Sequence, residues 1–128
     1  MKTILVLEYE SIVRAYLRDS LADFEIIEAA DAEQVLTLFA MAGHHIDLLV
    51  ADVTLPRSTG IQVALLLRTK ISSLPVLLTA DYPVSDWTGR DYTDLERLGS
   101  NGVTLLSKPL QDQDVSRAVS ELLETVAA

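Results

Sequence analysis

The stretch IDLLVADVTLPRSTG, residues 46–60, sets an apolar run directly against an acid. Ile46–Ala51 is short and nearly continuous, the pattern of a strand covered on both faces. Asp52 ends it, and helical spacing resumes at Gly60, which opens a stretch to Lys70 carrying Ile61, Ala64, Leu65 and Leu67.

Four more runs of the same kind flank this one: Ile4–Leu7, Phe24–Ile27, Val76–Leu78 and Val103–Leu106. Helical spacing lies between them. Ser11–Ala22 puts Ile12, Val13, Tyr16, Leu17 and Leu21 on one side. Asp31 and Gln34 form a capping pair for a helix with Val35, Leu38 and Phe39. Val115, Ala118, Val119, Leu122, Leu123 and Val126 follow i, i+3, i+4, i+7 spacing. Five strands alternating with helices predict an α/β fold, a doubly wound five-stranded parallel sheet with helices on both faces. One region departs from this regularity. Asp81–Gly102 is polar and turn-rich, with one short helix expected around Asp91–Leu98.

A length of 128 residues fits one domain over residues 1–128. Cysteine is absent, which excludes disulfides and thiolate chemistry, and two adjacent histidines, His44 and His45, make no zinc site; they read as surface residues. The 10 Lys and Arg stand against 19 Asp and Glu, a formal charge of −9 that repels a phosphate backbone. No nucleic-acid partner is expected. The apolar opening ends at Glu8, too early for a signal peptide or membrane span, so a cytoplasmic protein with no membrane contact is expected.

In open α/β sheets, sites form beyond the carboxyl ends of the strands. Glu8, Tyr9 and Glu10 follow the first strand, Asp52 the third, Thr79 and Ala80 the fourth, and Lys108 and Pro109 the fifth. Acids, a hydroxyl and one Lys therefore converge on one edge.

On the motifs ILVLEYE (Ile4–Glu10), DVTLPRSTG (Asp52–Gly60), PVLLTA (Pro75–Ala80) and SKPL (Ser107–Leu110), the chain resembles the receiver domains of two-component response regulators over essentially its whole length. The resemblance implies the flavodoxin-like strand order 2-1-3-4-5. It implies that Asp52 is a phosphoacceptor, attacking a phosphohistidine on a sensor histidine kinase or histidine phosphotransfer protein. Lys108 and Thr79 would stabilise the phosphoryl group, and the Ala80 amide would add a donor. A divalent ion, Mg²⁺, would be held by Glu8, Asp52, the Thr54 carbonyl and Glu10. Pro56 and Gly60 match the turn after the acceptor, and a cis Lys108–Pro109 bond is implied. Output would pass to a downstream protein target, and a second copy of the chain is a candidate partner. Such a domain is a signalling module, not an enzyme.

Three departures bear on these expectations. Tyr9 stands where the main Mg²⁺-holding carboxylate usually sits, and a neutral phenol is a poor ligand for a hard cation, so weak Mg²⁺ binding is expected. Leu105 replaces the aromatic that usually switches with the Thr. The segment Asp81–Gly102 is expected to replace the usual short loop and output helix. The alternative is therefore a degenerate receiver, unphosphorylated and serving as an interaction or dimerisation module. A flavin-binding electron carrier shares the sheet order, but Glu8-Tyr9-Glu10 would repel the cofactor phosphate. Trp87, the only Trp, anchors the long segment, covers the pocket or meets a partner.

Overall fold

The structure is a computed structural model and describes residues 1–41, 45–87 and 89–127. In chain order the elements are β1 (Thr3–Leu7), α1 (Ser11–Ser20), β2 (Glu25–Ala29), α2 (Ala32–Met41), β3 (Leu48–Asp52), β4 (Thr54–Leu55), β5 (Ser58–Thr59), α3 (Gly60–Leu67), β6 (Val76–Ala80), α4 (Gly89–Leu98), β7 (Val103–Ser107) and α5 (Asp112–Ala127). The main sheet has the order β2-β1-β3-β6-β7, all parallel. Counting only its strands, this is the expected 2-1-3-4-5. The two-residue strands β4 and β5 form a separate antiparallel ribbon.

The alternation of side chains divides the core in two. Leu5, Leu7, Leu49, Ala51, Val76 and Leu78 face α2, α3 and α4, where Val35, Phe39, Ile61, Ala64 and Leu98 meet them. Ile4, Val6, Leu48, Val50 and Leu77 face α1 and α5, meeting Leu17, Val115, Val119 and Leu122. Covered on both sides, β1, β3 and β6 are fully buried. The edge strands β2 and β7 are only half-buried, which lets β2 carry Glu25 and Glu28.

Local sequence explains most boundaries. Asp31 Oδ1 accepts the Gln34 amide at 2.9 Å, and the Gln34 side chain accepts the Ala30 amide at 2.7 Å, so the expected capping pair forms. Thr59 caps α3 by accepting the Gln62 amide at 3.1 Å. Helix α1 buries a narrower stripe than its sequence suggests: Leu17 is buried, while Ile12 is 84% exposed. His45 is exposed; His44 and the side chain of Val126 lie outside the described residues.

The short helix expected around Asp91–Leu98 forms, starting two residues earlier, so the expectation that Asp81–Gly102 replaces a helix is corrected. After a 3-10 turn at Val84–Asp86 it contains the regular ten-residue helix α4. The inward stripe of α4 is Asp91, Asp94, Leu95 and Leu98, and the two acids on it hide the apolar periodicity. Arg68 holds its far end, donating from Nε to Leu74 O at 3.0 Å, from Nη1 to Leu98 O at 3.1 Å and from Nη2 to Asn101 O at 3.0 Å. Burial pushes this guanidinium below its ordinary pKa. Trp87 acts as an anchor: its ring packs on the core, and Nε1 donates to Tyr82 O at 3.2 Å.

Candidate functional site

Register brings the site together. Leu7 pairs with Ala51, Asp52 with Thr79, and Ala80 with Ser107. Glu8, one residue past β1, and Lys108, one past β7, therefore reach the edge that Asp52 and Thr79 occupy. Asp52 and Ala80 are the last residues of β3 and β6 and Thr79 the last but one of β6, so the ladder fixes their backbones.

Asp52 is 4% exposed, and both its oxygens are engaged. Oδ1 accepts the Thr54 amide at 3.1 Å, and Oδ2 accepts from Lys108 Nζ at 2.8 Å. The ribbon that follows returns Gly60 against this residue, where its amide donates to Val53 O at 3.0 Å. A Cβ on Gly60 would run into the Asp52 carbonyl oxygen, so only glycine fits there. Arg57, in the ribbon turn after Pro56, has φ 62°.

Lys108 is positioned by its own amide, which donates to Ala80 O at 2.8 Å, and the Lys108–Pro109 bond is cis as the resemblance implies. Its ammonium bridges two acids: Glu8 Oε1, 100 residues upstream, lies 2.9 Å away, and Asp52 Oδ2, 56 residues upstream, 2.8 Å away. Burial alone would pull the ammonium down, but hydrogen bonds to Asp52 and Glu8 outweigh it and hold the pKa above 10.5. Glu8 is fully buried, and desolvation raises its carboxyl above the ordinary value despite the Lys108 bond. Its second oxygen accepts the Glu10 amide at 3.0 Å.

Thr79 Oγ1 is buried and finds no hydrogen-bond partner. Buried hydroxyls without partners are uncommon and costly. A cleft of about 320 Å³ opens beside these groups, lined by Glu8, Tyr9, Glu10, Asp52, Thr54, Leu55, Pro56 and Asp81.

Two residues absent from the sequence reading belong to this region. Arg14 donates from Nη1 to Glu8 O at 2.7 Å and to Tyr9 O at 3.3 Å, fixing the loop after β1. Its basic side chain one turn into α1 was the only signal. Asp81, directly after the Thr79-Ala80 pair, adds an acid to the cleft. The expected residues Glu8, Asp52, Thr79 and Lys108 converge, Ala80 supports Lys108 through its carbonyl, and Glu10 contributes its backbone to Glu8.

Receiver domains generally bind Mg²⁺ in their acidic pocket. Mg²⁺ demands a near-octahedral set of oxygens. Among the described residues, no three His, Cys, Asp or Glu side chains come together to hold a metal. Glu8 gives one oxygen to Lys108 and the other to an amide, and Tyr9 is 57% exposed. Glu8 and Asp52, the two carboxylates expected to hold the ion, are both paired with Lys108.

Comparison with known proteins places this geometry. Residues 4–120 match the response regulator receiver domain family. A probable transcriptional regulator, ycf27, of Cyanophora paradoxa is 35% identical over 125 residues, covering 95% of this chain and 48% of the relative. The chain spans about half the length of the curated relatives it matches. The crystal structure of the receiver domain from hybrid histidine kinase CckA superimposes with a TM-score of 0.75 at 28% identity, covering 94% of this chain and 98% of that one. The signal receiver domain of an HD domain-containing protein from Pseudomonas fluorescens reaches 0.82 at 22% identity, covering 99% and 98%. Receiver domains are generally signalling modules rather than catalysts. With sheet order, strand-end residues and family match in agreement, the chain belongs to the response regulator receiver domain family.

Proposed function

We propose that the chain is a phosphoacceptor receiver, one domain over residues 1–128, in which Asp52 takes a phosphoryl group from a sensor histidine kinase or histidine phosphotransfer protein. The observation that carries this reading is the approach of Lys108 Nζ to Asp52 Oδ2 at 2.8 Å, with Thr79, whose hydroxyl is unpartnered, in register with Asp52 on the neighbouring strand. A carboxylate oxygen of Asp52 attacks phosphorus and the P–N bond to the donor imidazole breaks. The bonding electrons return to the imidazole nitrogen, and an acyl phosphate forms on Asp52. Lys108 neutralises charge on the phosphoryl oxygens, and Thr79 Oγ1 donates to one of them. Hydrolysis resets the domain, which acts as a signalling module in the cytoplasm through contact with a downstream protein.

Incubation with acetyl phosphate followed by intact mass measurement tests this. The expected result is a gain of one phosphoryl group that disappears in Asp52→Asn. No gain under any condition favours a second reading, an unphosphorylated interaction or dimerisation module. The observation behind that alternative is the closed pairing of Glu8 and Asp52 through Lys108, with Tyr9 in place of an acid.

A further inference from the structure

We infer that Lys108 is itself the resident cation of this pocket, that Glu8 holds it against Asp52, and that the chain takes up no divalent ion at millimolar concentration. The starting observation is the geometry of the three groups. One ammonium lies 2.9 Å from Glu8 Oε1 and 2.8 Å from Asp52 Oδ2, so both carboxylates that a metal would use already share a positive charge. The Glu8 side chain is 1% exposed and that of Asp52 5%, and in such surroundings a second cation between them would meet the ammonium at close range with little screening.

Both carboxylate oxygens of Glu8 already accept a hydrogen bond. Its Oε2 accepts the Glu10 amide, which fixes the carboxylate plane, and its backbone carbonyl accepts from Arg14 at 2.7 Å. The Tyr9 carbonyl also accepts from Arg14, so the loop is clamped in the arrangement that points Glu8 at Lys108. Tyr9 supplies no acid, and its side chain is largely in solvent. Lys108 keeps one N–H unused by the two carboxylates, since an ammonium has three donors. That third donor is available to an incoming anion. Glu8 is thus a positioning residue acting through Lys108, not a metal ligand.

The inference stands on the pocket alone and does not need Asp52 to be phosphorylated, so it is tested without any phosphodonor. Mg²⁺, and separately Mn²⁺, is titrated into the full chain by calorimetry, with amide NMR shifts of Thr54 and Glu10 as a second readout. Wild type is expected to show no saturable binding at millimolar ion. Tyr9→Asp, which places an exposed acid beside the cleft, is expected to gain saturable binding at millimolar ion. Glu8→Gln is expected to leave ion binding absent while the NMR signal of the Lys108 ammonium broadens, and Glu8→Asp to restore part of that signal. Saturable Mg²⁺ binding by wild type overturns the inference. So does a Tyr9→Asp chain that binds no better, or a Lys108 signal unmoved by Glu8→Gln.

Discussion

Lys108 Nζ sits 2.8 Å from Asp52 Oδ2 although 56 residues separate the two in sequence. The parallel register of β3, β6 and β7 makes that meeting, and two buried carboxylates depend on it. Lys108→Met leaves Glu8 and Asp52 facing each other without a cation, and a loss of about 3 kcal/mol in urea unfolding is expected. Asp52→Asn leaves Lys108 paired with Glu8 and should cost only about 1 kcal/mol. Equal losses in the two variants would contradict this picture.

Thr79 separates function from stability. Its hydroxyl is buried and unpartnered, so Thr79→Val removes a polar atom that nothing satisfies. Stability should hold or rise by about 1 kcal/mol, whereas phosphoryl uptake from acetyl phosphate should slow. A variant that unfolds more easily and phosphorylates normally would place the hydroxyl's partner inside the fold instead.

Gly60 is required by space. Any Cβ there collides with the Asp52 carbonyl oxygen and approaches the Ala51 side chain. Gly60→Ala should lower stability by about 2 kcal/mol and shift the Asp52 amide resonance, since strand end and helix start must part.

Alkaline pH should expose the ion pairs. Lys108 has its folded pKa raised above the ordinary 10.5, so the stability from its pairing is complete below that value and is lost as pH climbs through the folded one. Denaturant unfolding of wild type minus Lys108→Met should give a difference that is flat from neutral pH up to 10.5 and then shrinks. A difference that shrinks already at neutral pH would mean that the ammonium is not held by its partners.

How much of this was legible depends on what each residue touches. The runs behind β1, β3 and β6 were plain because both faces of those strands are covered, which forbids polar residues along them. The edges were harder: β2 starts one residue later than Phe24 and admits Glu25 and Glu28, because one side of it meets no strand. Helix α4 was underestimated because Asp91 and Asp94 occupy its inward stripe. Asp52, Thr79 and Lys108 stood out by position, as strand-end residues in a fold whose sites lie at strand ends, and by the family motifs around them. The partner of Glu8 was not readable. Whether a buried carboxylate meets a metal or an ammonium depends on a side chain 100 residues away. Arg14 was missed for a similar reason, since its hydrogen bonds to the loop after β1 go to carbonyls that carry no sequence signal.

Asp52 is the proposed acceptor from which every step at this edge follows. Borohydride reduction of the acetyl phosphate-treated chain, followed by peptide mass mapping, identifies any carboxyl group that carried an acyl phosphate. Modification at Asp52 alone is the predicted result; modification at Glu10 or Asp81 instead, or at none, would contradict it.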